Sequence, residues 1–227
     1  DDLQRISSYS ALAYTANAMS LRALSDLYLQ QADELRRKHP GTVAEFKFLR
    51  VRGSVYISQA RFPDAERDLH QAEAIARDIG DAYARLVAMQ QTLWIWVFRA
   101  QLDRATDLLD RFAQLAEQES HSQFSARARI YRAQRLLDTG QHVAAQVSLR
   151  EALSQTRETR DLTFELYAVV LHARAAIALS QWETARADTD TGSAAMAGKE
   201  QPRSKAMEID FDGKDRVSDY VTVPAGT

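Results

Sequence analysis

Written in rows of forty, the sequence lines up with itself. Ala65 is followed at the same offset by Ala105, Ala145 and Ala185. Leu69 is followed by Leu109 and Leu149, with Leu29 one row earlier, and Ala32, Ala72, Phe112 and Ala152 make a third column. A turn-like pair precedes each unit, at Ala60-Arg61, Ala100-Gln101, Gly140-Gln141 and Ser180-Gln181. A period of this length defines a solenoid: one supersecondary unit cannot bury its apolar face alone and must stack on its neighbours.

Each row carries two helical patterns. In the second, "EFKFLRVRGSVYISQ" and "PDAERDLHQAEAIARDIG" place apolar or small residues at three- and four-residue intervals, and Arg61-Phe62 joins them. Pro63 suits a first helical turn, where its missing N–H costs nothing. Gly80 and Gly41 suit helix ends. The chain has only eight Gly and four Pro in 227 residues, concentrated outside these Ala/Leu/Gln/Arg/Glu-rich stretches, so the expected class is all-α.

The packing positions resemble a known family. Leu49, Gly53, Tyr56, Ala65, Leu69 and Ala72 fall where the tetratricopeptide repeat (TPR) places its large, small, aromatic, small, large and small residues. Other rows depart from it: Leu93 and Trp96 stand in the small and aromatic positions of the third, Ala133 and Leu136 in those of the fourth. The resemblance implies about five antiparallel helix hairpins stacked in a right-handed superhelix. The period exceeds the family's usual one, suggests longer helices, and is similar to that of the maltose-regulon activator type.

Over 1–197 the hairpins are expected at 1–18 with 21–38, 43–59 with 63–79, 82–99 with 102–118, 123–139 with 142–158, and 162–179 with 182–197. The last has Thr189 in the leucine column and Gly192 in the alanine column, as a frayed or polar cap would. Residues 198–206 read as a linker. In 207–227 apolar and polar residues alternate around Asp212-Gly213, which predicts an extended or β-hairpin tail, a single added strand or a foreign segment.

Function classes narrow by exclusion. A formal charge of −2 with no polybasic block gives no reason to expect direct nucleic-acid binding. Without cysteine there is no disulfide framework, thiolate nucleophile or Cys-based zinc site, which suits a cytoplasmic protein. The longest strongly apolar run, "LWIWVF", is too short to span a membrane, and "DDLQRISSYS" lacks the regions of a signal peptide. A start without Met points to a processed or excised chain. His39, His70, His121, His142 and His172 lack metal-ligand spacing; "DFDGKD" departs from a calcium loop in its glycine and its missing closing glutamate. Phosphate-loop, dinucleotide and nucleophile-elbow motifs are absent, and pairs such as Asp64 with Asp68 are expected on a solvated helix face. Neither catalysis nor a cofactor is expected.

What remains is a surface. The TPR resemblance implies that the first helix of each hairpin lines a groove, and its register gives Tyr14 and Asn17; Lys47, Arg50 and Ser54; Gln90, Gln91, Trp94 and Phe98; Arg127, Tyr131 and Gln134; and Tyr167 and Arg174. Arg and Lys clamp carboxylates, Gln and Asn satisfy an extended backbone, and aromatic rings supply contact area at small entropic cost. Trp94, Phe98 and Tyr131 serve either as groove contacts or as packing between helices, and Trp96 reads as core. The partner expected is a protein or an extended peptide, acidic or mixed, within a bacterial regulatory or assembly system. The chain's own tail is among the candidates, as is a homo-oligomer linked through it. The alternative is a small-molecule sensor whose effector domain lies elsewhere.

Overall fold

The spacing of the helices is set by how they end. In the computed structural model, which describes residues 1–197, every helix end from α1 to α9 except that of α2 closes with the same pair of bonds. At the first of them Ser20 N–H donates to the Asn17 carbonyl (2.9 Å) and Leu21 N–H to that of Ala16 (2.8 Å). This is the Schellman arrangement, in which the residue after the C-cap turns left-handed. The residue after that is already the N-cap of the next helix, so three residues reverse the chain.

The result is a step of twenty. The helices are α1 (Asp2–Ala18), α2 (Arg22–Arg36), α3 (Val43–Ser58), α4 (Phe62–Asp78), α5 (Ala82–Phe98), α6 (Thr106–Gln118), α7 (Ser122–Asp138), α8 (His142–Glu158), α9 (Leu162–Ala178) and α10 (Trp182–Ala197). A 3-10 turn, Leu102–Ala105, stands where the first turn of the sixth helix was expected. No strand occurs among the described residues, and no helix there is long and apolar enough to cross a membrane. The linker at 198–206 and the extended or hairpin tail at 207–227 lie outside the described residues.

Glycine supplies the left-handed residue at Gly80 (φ 73°) and Gly140 (φ 78°), but Ser20, Ala60, Ala100, Ser120, Arg160 and Ser180 adopt it with a side chain, at φ between 50° and 62°. Six non-glycine residues in a sparsely favoured region mean that stacking of the hairpins, not turn propensity, holds these corners.

Two compact units divide the chain, the first ending at His121 and the second beginning at Ser122. In the first, α1 packs on α2 and α3, α3 on α4 and α5, α4 on α5, and α5 on α6. In the second, α7 packs on α8 and α9, α8 on α9, and α9 on α10. Within the units, α1, α3 and α7 thus each touch their own partner and the next first helix, as in TPR arrays. The columns of the sequence are the core: Leu29, Leu69, Leu109 and Leu149 are buried, as are Ala65, Ala105, Ala145 and Ala185, and Ala32, Ala72, Phe112 and Ala152. Each fully buried leucine contributes roughly 1.5–3 kcal/mol of apolar transfer.

Gly53 shows why its position is small. A Cβ built there would lie 2.9 Å from Leu69 Cγ, so glycine lets α3 close on the leucine of α4. Tyr56 fills the adjoining space against Ala65, Leu69 and Ile95.

Charges are sorted within the hairpins in a way the helix patterns did not reveal. Asp64 is on the surface with Arg61 and Arg67, at 2.8 Å from each. Asp68, expected beside it on a solvated face, is 1% exposed. Arg52 of α3 grips it with two bonds, Nε–Oδ2 at 2.6 Å and Nη2–Oδ1 at 2.9 Å, and also reaches Asp33 at 3.1 Å. The fifth row places His172 and Asp188 at the equivalent positions, 2.7 Å apart. One site between the helices of a hairpin therefore pairs a side-chain nitrogen with a carboxylate in two different rows.

Candidate interaction face of the first helices

In the first unit all nine side chains expected on this face reach solvent at least in part: Tyr14, Asn17, Lys47, Arg50, Ser54, Gln90, Gln91 and Trp94 are half-buried, and Phe98 is 63% exposed. Short polar bonds connect their helices. Asn17 Nδ2 donates to Ser58 Oγ at 2.8 Å, and Gln91 Nε2 donates to Ser54 Oγ at 2.8 Å, which ties α5 to α3. The Gln91 Oε1 is buried without a hydrogen-bond donor. Trp94 and Phe98, one helical turn apart, stack with ring centroids 5.5 Å apart and planes at 24°.

Arg50 stands out electrostatically. Protein crowds its guanidinium, yet part of its surface remains open, and it makes no hydrogen bond or ion pair to any described residue. Loss of water draws its pKa below the usual arginine value, an effect that the neighbouring Tyr83 and Tyr14 hydroxyls partly offset. Two residues on, Arg52 shows the opposite balance: burial alone would lower its pKa, but its hydrogen bonds to Asp68 and the field of that carboxylate, followed by Tyr56 and Asp33, raise it. A cation that is partly desolvated and uncompensated favours an incoming anion more than a fully hydrated one does.

Tyr83, 52% exposed, belongs to this face although the sequence reading began its stripe on α5 at Gln90. It lies seven residues, two helical turns, before Gln90, so extending the 3.6-residue period backwards would have found it. Its ring meets His121 edge to face at 5.9 Å. Nearby, a cleft of about 180 Å³ lined by Ala76, Arg85, Leu115 and Glu119 is smaller than ordinary small-molecule pockets.

The second unit uses the corresponding residues differently. Arg127 Nε donates to Asp161 Oδ2 at 2.7 Å, with both side chains largely buried (14% and 6% exposed). Its guanidinium lies over Phe164 at 4.6 Å and Phe124 at 5.0 Å. Asp161 is the N-cap of α9 and also accepts from Gln123 Nε2 and Phe164 N–H. Tyr131, expected as a groove residue or as packing, is packing: it is fully buried and meets Phe164 edge to face at 5.9 Å. The cause is the next first helix, which brings Phe164 against it. Burial also pushes the Tyr131 hydroxyl pKa well above its usual value. Gln134 is buried as well and accepts from the Tyr167 hydroxyl, whose pKa burial likewise raises. Arg174 remains on the surface, 2.9 Å from Asp138.

Comparison with known proteins supports the fold. No protein-family model matches the sequence, and no curated protein resembles it. Solved structures do. Two crystal structures of nearly identical TPR-like repeats, described as from a kinesin light chain of Podosopora anserina, match 88% of this chain and 98–99% of their own, with TM-scores of 0.67 and 0.64 at 17% identity. The crystal structure of BtubC (BKLC) from P. vanneervenii matches 98% of both chains with a TM-score of 0.56 at 14% identity. The chain is a TPR-like helical repeat protein in fold.

Proposed function

We propose that this chain is a protein-binding scaffold, serving a bacterial regulatory or assembly system, and that the first-helix face of its first unit takes an extended acidic peptide. Helical-repeat folds create long surfaces lined by equivalent positions, which suit extended partners. Arg50 carries the reading: a crowded guanidinium without a carboxylate is satisfied by one from a partner, in the bidentate geometry arginine favours. Around it Tyr14, Asn17, Lys47, Ser54, Gln90 and Gln91 offer polar contacts to a peptide backbone, and Trp94 with Phe98 offers an aromatic platform.

The groups of the second unit contribute less to this reading, because Arg127, Tyr131, Gln134, Tyr167 and Arg174 have partners inside their own unit. The test is fluorescence anisotropy with a panel of labelled ten-residue peptides in which Asp and Glu are exchanged for Asn and Gln. Acidic members should bind, and Arg50→Ala and Trp94→Ala should each weaken binding by about 1–2 kcal/mol, the range of an interface hot spot. Equal binding by both folded variants and the parent would remove the face from consideration.

A further inference from the structure

In helical-repeat arrays the inner face of each hairpin is buried by its neighbour, so an outermost hairpin needs a polar outer face or a cover.

Among the described residues α9 is the last first helix. Leu166, Val170, Ala173 and Ile177 stand on one face at spacings of four, three and four residues. Val170 is 64% exposed and Ile177 50%, with Leu166 and Ala173 half-buried. Their counterparts one row earlier, Ala126, Ile130, Ala133 and Leu137, are all buried in α7, which has α8 and α9 packed on it. The α9 stripe is thus the continuation of an interface already used inside the unit, with an apolar surface where the next element would stack.

We propose that the chain's own segment 206–223 covers this stripe. In a hairpin with α9, α10 runs antiparallel, so its end at Ala197 comes back beside the N-terminal half of α9. The stripe from Leu166 to Ile177 is about 16 Å long at 1.5 Å per residue. Residues 198–206 can span up to about 30 Å, ample to bring the following segment onto it. That segment, "AMEIDFDGKDRVSDYVTV", alternates Met207, Ile209 and Phe211 with Glu208, Asp210 and Asp212. In an extended conformation the three apolar side chains fall on one side and the carboxylates on the other, which matches a narrow apolar stripe facing water. Its Gly213 and its alternation make it a poor sixth first helix, so the cover is a strand-like segment. Tethering decides between this segment and α9 of a second copy: a short linker gives an effective concentration of order millimolar, far above micromolar protein.

Hydrogen exchange of the whole chain at low micromolar concentration tests the proposal. Amides from Glu208 to Val223 should exchange at least about tenfold more slowly than in an unstructured peptide of the same sequence. Val170→Asp with Ile177→Asp should abolish that protection without changing helical circular dichroism, since both side chains are exposed in the described structure. Val143→Asp, at an equally exposed apolar residue of α8, should leave it intact. Unstructured exchange rates in the parent would overturn the proposal, as would protection that survives the double substitution. Protection that appears only at concentrations where sedimentation shows a dimer would assign the cover to a second copy and overturn it too.

Discussion

Arg50 and Arg127 both stand on first helices, both half-buried, and they do opposite things. In the second unit Arg127 is held by the N-cap carboxylate of the next first helix, Asp161, and sandwiched by Phe124 and Phe164. In the first unit Arg50 finds no carboxylate. Their registers explain the difference: Arg127 is the seventh residue of its row and Arg50 the tenth, almost a helical turn further along. At the seventh position a long side chain reaches the start of the following first helix, where Asp161 caps the chain; at the tenth, Arg50 faces Tyr83 and Tyr14 instead. One residue type on one kind of helix is a rivet in one unit and an open contact in the other.

The largest effect should come from breaking the rivet. Asp161→Ala takes the Asp161 carboxylate away from the buried Arg127 and removes the cap of α9, and should cost about 3–5 kcal/mol in urea denaturation followed by circular dichroism. A loss below about 1 kcal/mol would make the Arg127 pair no more than a surface contact and erase the contrast with Arg50.

Closer to the hairpin axis, Gly53→Ala should cost about 1–3 kcal/mol, because the new methyl must push Leu69 aside. Its counterpart in the fourth row is already Ala133, fully buried. Ala133→Gly should therefore be milder, about 1 kcal/mol, from backbone entropy. Equal costs would mean that the hairpins of the two units close to the same distance.

The corner residues should not distinguish the units. Ala100→Gly in the first and Arg160→Gly in the second each relieve a left-handed residue and should stabilise by up to about 1 kcal/mol. Melting temperatures that fell instead would assign those side chains a packing role.

Smallest of all, and opposite in sign to the rivet, Arg50→Met should change stability by no more than about 0.5 kcal/mol, or raise it, because it removes an uncompensated charge from a crowded place. A loss of several kcal/mol would show that Arg50, like Arg127, holds the fold together.

Much of this was legible in the row pattern. Helix limits at 43–58, 62–78, 82–98, 142–158 and 182–197 follow the expected spans within one residue or two, because the period of twenty that sets the corners is written in the spacing of the small residues. The buried alanine and leucine columns were legible for the same reason. The 3-10 turn at Leu102–Ala105 was not: the helical pattern runs through it unbroken, and nothing in the structure explains it. Nor was the burial of Asp68 or Tyr131. A helix pattern shows which face a residue stands on, but not that Arg52 or Phe164, distant in sequence, arrives opposite it.

The sequence by itself therefore determined the repeat, the helices and the faces they bury, since all three depend on periodicities of a few residues and on the length of one hairpin. Only the tertiary structure decided which of the charges and apolar stripes on those faces are satisfied. Whether Arg127 meets Asp161, Arg50 meets no carboxylate among the described residues and Val170 meets water depends on which side chain the neighbouring helix delivers within three or four ångströms, and that distance is fixed by how the hairpins stack.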